Sequence, residues 1–222
     1  MKRLLLSLLC VPFLLPAEPL AAVLARMDQS AQQFQSLSAK MKRQQFTAVL
    51  NESSTMQGSV RLRRVKNATE GVIEFGEPEP RSVFVKGKEV QIFYPKANTV
   101  EIYDASKYTS NIDQLLLLGF GTTSAALKKS YDIREGGTEK INGMDATRID
   151  LLPKSAELQK LISKIEMWIP EGQSNPVRQK ISEPSKNYEL VDYTDLKLNA
   201  SIADALFRLT LPSGVKKVYP QK

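Results

Sequence analysis

Histidine is absent from this chain and cysteine occurs once, at Cys10; tryptophan also occurs once, and aromatic residues make up only 7% of the sequence. Without imidazole there is no base for a Ser-His-Asp arrangement and no histidine metal ligand; without a second cysteine there is no disulfide. The HExxH, GxSxG, GxGxxG and P-loop patterns are missing too, and the carboxylates are scattered among polar positions. These absences argue against an enzyme, a resident metal or a cofactor. Neither a Gly/Ser-rich nor a Pro-rich linker divides the 222 residues, so one domain is expected.

Long apolar runs are scarce as well. Lys2 and Arg3 precede an apolar stretch from Leu4 to Leu15 that small residues close near Ala17. This is the pattern of an export signal covering residues 1–17, with a cleavage boundary between 17 and 22, and it is too short to span a bilayer. Residues 18–222 then form the mature domain, without histidine or cysteine, because Cys10 lies inside the signal. Leu9 immediately before Cys10 is a poor context for lipid attachment. Removal of Lys2 and Arg3 lowers the formal charge from +7 to +5. For an exported protein, a basic surface points to acidic partners or anionic membrane rather than nucleic acid, or simply to solubility.

What is present is patterned. Leu20, Val23, Leu24, Met27, Ala31 and Phe34 recur at helical spacing and predict an amphipathic first helix. The period then becomes two: Leu37, Ala39 and Met41 alternate with Ser38, Lys40 and Lys42, and Val60 and Leu62 resume the alternation after a polar turn expected at Asn51 to Thr55. The segments 72–75, 82–85, 90–94 and 99–103 read as strands joined by the turns GEPEP, KGK and PKAN. YDIR, ATRIDLLP, SKIEMWIP, VRQKIS, YELVDYTDLKL and FRLTLP read as further strands, with a short helix at Ala156 to Ile162. About ten antiparallel strands curl to protect their edges.

Between the two groups of strands, Lys107 to Ser130 has helical spacing at Ile112, Leu115, Leu116 and Phe120 and contains the run DQLLLLGFGTT. Leu115, Leu116, Leu117 and Leu118 are apolar on every side of a helix, which fits either permanent core or a cover laid over the hollow of a curled sheet. Gly119 and Gly121 flank Phe120 and suit either a hinge or the end of a helix. In GSVRLRR the two-residue period puts Val60, Leu62 and Arg64 on one face and Arg61 and Arg63 on the other. Arg64 either latches onto backbone carbonyls at the end of a lid, which would suit its five donors, or points to water past the end of its strand.

FQSLSAKMKR, GSVRLRR, VFVKGKEVQIFYPK, the lid region and FRLTLPSGVKKV together resemble the LolA-type periplasmic lipoprotein carriers of the LolA/LolB superfamily. The resemblance covers nearly all of the mature chain. It implies a mainly β fold, a half-open antiparallel β-barrel with an N-terminal helix and a helical lid over a hydrophobic cavity. It implies a monomeric periplasmic carrier that takes the acyl chains of lipoproteins from an inner-membrane lipoprotein-releasing ABC transporter and passes them to an outer-membrane acceptor.

By that resemblance Arg64 is the lid latch, Gly119 and Gly121 the hinge, and Val60, Leu62, Ile73, Phe75, Leu115, Leu116, Leu117, Leu118, Phe120, Ile165 and Met167 the acyl-chain contacts. Few aromatics and an extra charged helical piece at Ala156 to Ile162 depart from the family pattern and leave the cargo open. The alternative on the same fold is a module that binds or senses free lipid or glycolipid.

Overall fold

The computed structural model describes residues 18–66, 68–104, 106 and 117–220. The export signal and Cys10 lie outside this range, as do Leu115, Leu116 and the start of the leucine run. The expected amphipathic helix is α1 (Leu20–Gln33), with Val23, Leu24, Met27 and Ala31 buried on one stripe. Phe34 is buried at its C-terminal cap.

The strands are β1 (Ser36–Thr47), β2 (Glu52–Val65), β3 (Ala68–Phe75), β4 (Arg81–Lys86), β5 (Glu89–Tyr94), β6 (Thr99–Asp104), β7 (Tyr131–Ile141), β8 (Met144–Pro153), β9 (Lys164–Pro170), β10 (Arg178–Ser182), β11 (Tyr188–Leu198) and β12 (Lys216–Val218). Two short α-helices, α2 (Ser124–Ser130) and α3 (Ala156–Gln159), and two 3-10 turns, Pro95–Ala97 and Asp204–Leu206, complete the described elements. None of the described helices is long and apolar enough to cross a membrane.

All twelve strands join one sheet in the order β12-β6-β5-β4-β3-β2-β1-β11-β10-β9-β8-β7. Every pairing is antiparallel except β12 on β6. β7 and β12 end the series without pairing to each other, so the barrel is half open. Hairpin turns set the register. Asn142 and Gly143 both have positive φ, 51° and 83°, the backbone that a two-residue turn between right-twisted strands requires.

Three expectations need correction. Twelve strands are present where about ten were expected. The first polar turn spans Ala48–Asn51, with β2 already under way at Glu52. FRLTLP is not a strand: Phe207 packs on the convex side of the sheet against Val72 and Phe84, with Ile202 and Leu209 half-buried beside it. Its apolar residues are satisfied by lying across that face, and Lys216–Val218 supplies the backbone pairing to the sheet edge instead.

The two-residue period sorts the remaining side chains. On the convex face Arg148 bonds Asp150 at 3.0 Å and Glu139 at 2.7 Å, Lys164 meets Glu166 at 2.9 Å, and Arg178 meets Asp192 at 2.6 Å. These pairs are partly buried, Glu166 most of all, so their attraction is offset by desolvation and their net worth is small.

The concave face is divided. Over β7, β8 and β9, α1 and α2 bury Tyr131, Ile149, Leu151, Ile165, Met167 and Ile169 against Val23, Met27 and Leu127. α1 and α2 are tied together by Asp28, whose carboxylate accepts the Ser124 backbone N–H and, at 2.6 Å, the Ser124 hydroxyl. Thr123 caps the same turn by accepting the Ala126 N–H at 3.2 Å. Replacing Asp28 with Ala leaves the first turn of α2 with Thr123 alone; a loss of about 1–2 kcal/mol in urea-unfolding stability is expected.

Candidate functional site

The other half of the concave face, formed by β1, β2, β3, β10 and β11, is not covered by α1. Period-two alternation brings Leu37 and Met41 of β1, Val60 and Leu62 of β2, Ile73 and Phe75 of β3, Ile181 of β10, and Val191 and Tyr193 of β11 to this side. Leu118 and Phe120 lie over them and leave a cavity of about 200 Å³. Phe120 meets Tyr193 edge to face, with ring centroids 5.2 Å apart.

The expected contacts Val60, Leu62, Ile73, Phe75, Leu118 and Phe120 therefore meet around one cavity. Leu117 is buried in the same cluster as Phe34, Leu37 and Phe120 but does not reach the cavity wall. Ile165 and Met167 are a correction. Both are fully buried beneath α1 in the permanent core, because the alternation of β9 fixes their face of the sheet and α1 lies over that stretch of it. Leu115 and Leu116 lie outside the described residues.

The covering segment, Leu117–Gly121, is folded around a single carbonyl. The Leu117 oxygen accepts from the backbone N–H of Phe120 and of Gly121, each at 2.9 Å, and from the Thr122 hydroxyl at 3.1 Å. Gly119 reverses the chain with φ +77°, and a Cβ there would stand 2.8 Å from Pro176 Cγ. Gly121 has no such φ; its constraint is space, since a Cβ would meet the Phe34 ring at 3.0 Å.

Three other lid carbonyls accept from side chains outside the segment. Arg64 Nη2 donates to Gly121 O at 3.1 Å, Asn175 Nδ2 to Gly119 O at 3.1 Å, and Gln179 Nε2 to Leu118 O at 2.7 Å. Arg64 also reaches Ala31 O at the end of α1 at 3.5 Å, and its guanidinium stands 5.6 Å from the centre of the Phe34 ring. β2 continues past Arg64, which is an exposed residue with part-buried bonds to the lid, so these bonds belong at the weak end of the charge-assisted range.

Gln179 and Asn175 are buried, and no motif or spacing in the sequence points to either. Gln179 is aimed by the Tyr193 hydroxyl, which donates to its Oε1 at 2.8 Å. Burial holds the Tyr193 phenol above the ordinary tyrosine range, so it remains protonated as the donor that this chain of bonds requires.

The far part of the cavity is polar. Arg43, four strand positions beyond Ala39 and on the same face, is buried and paired with Glu189, its Nε donating to Oε2 at 3.1 Å and its Nη2 to Oε1. Its guanidinium is 5.5 Å from the centre of the Phe75 ring. The alternation that marks Leu37, Ala39 and Met41 could have located Arg43 by one more step. Among the described residues, no three His, Cys, Asp or Glu side chains converge to hold a metal.

Gln179→Leu removes the donor to Leu118 O and the acceptor of the Tyr193 hydroxyl together. A stability loss of about 2–4 kcal/mol in denaturant unfolding is expected, against about 1 kcal/mol for Tyr193→Phe, which leaves the bond to Leu118 in place.

A family model described as outer membrane lipoprotein carrier protein LolA matches residues 32–210. No curated protein matches the chain. Among solved structures, an uncharacterized conserved protein from Thermus thermophilus is similar at a TM-score of 0.56 and 14% identity, over 90% of this chain and 98% of that one. MucB is similar at 0.52 and 14%, over 90% of this chain and 64% of MucB. The Mycobacterium tuberculosis lipoprotein LppX aligns at 0.49 and 16%, over 83% and 99%. At these identities the likenesses to the Thermus thermophilus protein and to MucB speak to the fold alone.

Proposed function

We propose that this chain, which belongs to the LolA family of outer membrane lipoprotein carrier proteins, binds the acyl chains of lipoproteins in the cavity under Leu118 and Phe120. It carries them across the periplasm, from an inner-membrane lipoprotein-releasing ABC transporter toward an outer-membrane acceptor, after export by the signal at residues 1–17. The protein works by binding and release, without a catalytic residue.

The observation that carries this reading is how the cavity is closed. Its walls are strands, but among the described residues its cover is a short segment with two large apolar side chains, held at its backbone carbonyls by Arg64, Asn175 and Gln179. Each methylene kept from water is worth about 0.8 kcal/mol, so a free acyl chain needs such an enclosure to cross an aqueous space. A 200 Å³ space is comparable to an engineered cavity of about 150 Å³ that holds a benzene molecule, and is too small for a long chain. Room must come from withdrawal of Leu118 and Phe120. Cargo and cover then compete for the same walls, and the charge-assisted bond from Arg64 is the solvent-facing contact that opening would break first.

The test is release: purified mature protein is incubated with spheroplasts, and acylated lipoproteins bound to it are sought in the soluble fraction. Phe120→Asp places a charge in a desolvated contact and is expected to reduce the recovered lipoprotein roughly tenfold or more. Recovery of only free phospholipid or glycolipid would replace the carrier reading with a lipid-binding module on the same fold. Arg64→Leu is expected to speed limited proteolysis within Leu117–Gly121 roughly fivefold, the equivalent of one net hydrogen bond; an unchanged rate would remove Arg64 from the latch.

A further inference from the structure

We propose that Arg43 and Glu189 form the polar end of the acyl site, and that Arg43 selects a neutral ester or amide carbonyl over a free carboxylate. The inference rests on the cavity being an acyl-chain site and adds the chemistry of the group at the head of the chain.

Arg43 is 7% exposed, and it lines the cavity together with Glu189. Its Nε and Nη2 are both engaged by the Glu189 carboxylate. Nη1 is buried and, among the described residues, has no acceptor. A buried guanidinium with a donor left unsatisfied is costly, and the apolar neighbours Met41, Ile73, Phe75 and Val191 on the same wall offer it no acceptor. The missing partner is therefore an acceptor oxygen brought by whatever fills the cavity.

The pairing decides which oxygen. Glu189 already neutralises Arg43, so the spare donor belongs to a pair without net charge. A carboxylate or phosphate placed on Nη1 would lie close to the Glu189 carboxylate in a poorly screened space and be repelled by it. A neutral carbonyl oxygen meets no such repulsion and satisfies the donor. Leu37 lies six strand steps from Arg43 along β1, roughly 20 Å of extended strand running toward the lid. A chain with its carbonyl at Arg43 thus points its methylenes along β1 to Leu118 and Phe120. The cargo class is acyl groups already joined through an ester or amide, not free fatty acids.

The experiment uses the mature protein loaded with the fluorophore 1-N-phenylnaphthylamine, displaced at pH 8 by methyl palmitate or by palmitate. The wild type is expected to bind the ester roughly tenfold or more tightly than the acid, the scale of one charge-assisted hydrogen bond. Arg43→Met should weaken binding of the ester and weaken palmitate further, raising the ratio, because the uncompensated Glu189 carboxylate then repels the anion. Glu189→Gln should invert it, because the uncompensated guanidinium then favours the anion. A purely structural ion pair would change stability in both variants without moving the ratio in opposite senses.

An equal ratio in wild type and both variants, or a wild-type preference for palmitate, would overturn the proposal while leaving an acyl site. Displacement by neither ligand would overturn the carrier reading itself. A tripalmitoylated cysteine peptide and dipalmitoylphosphatidylcholine serve as the two sources of such a carbonyl; weaker binding to Arg43→Met identifies which source Arg43 reads, and no weakening of either overturns the role.

Discussion

A backbone carbonyl accepts a hydrogen bond from any donor placed in line with it, and the closure of this cavity depends on that indifference. Leu118, Gly119 and Gly121 present their oxygens to Gln179, Asn175 and Arg64. The lid is thereby recognised by its path through space, while its side chains stay free to fill the cavity. Net, such bonds contribute about 1 kcal/mol each, somewhat more where a charge takes part. The burial of Leu118 and Phe120 contributes more, about 1.5–3 kcal/mol each. An apolar occupant of the cavity would offset the part of that burial that faces the cavity.

The division of the concave face follows from the same requirement. A sheet of twelve strands that curls without closing has more inner surface than one amphipathic helix can cover. α1 seals the β7–β9 part as ordinary core, down to Ile149, Leu151, Ile165 and Met167. Over the β1–β3 and β10–β11 part the described cover is the segment Leu117–Gly121. Packed core and cavity are thus housed on different parts of one sheet. Leu118 touches both halves, belonging to the core under α1 and to the cavity wall.

Much of this is legible wherever a simple period applies. The helical stripe of α1 and the cavity face of Val60, Leu62, Ile73 and Phe75 follow from spacings of 3.6 and 2. Arg64 follows from the same alternation. Ile165 and Met167 mark the limit of the rule: alternation tells which face a residue occupies but not which half of a curled sheet a distant helix will cover. FRLTLP alternates like a strand and yet lies across the convex face, because amphipathic residues can be satisfied by packing without a ladder. Asn175 and Gln179 carry no local signal at all, since their partners are carbonyls 56 and 61 residues away. Arg43 obeys the period, but a charge at an apolar position reads as the end of the pattern.

Asp28 gives the lid a property that its hydrogen bonds alone would not. By fixing the start of α2 to α1 it pins the chain three residues beyond Gly121. A lid displaced from the cavity is therefore tethered, and its leucine and phenylalanine confront the vacated walls at the effective concentration of an intramolecular ligand, of order millimolar for short connections. Any occupant that leaves is followed at once by a competitor that cannot diffuse away. For a carrier, unloading would then be hard to reverse without any input of chemical energy, and the vacated apolar walls would be re-covered quickly.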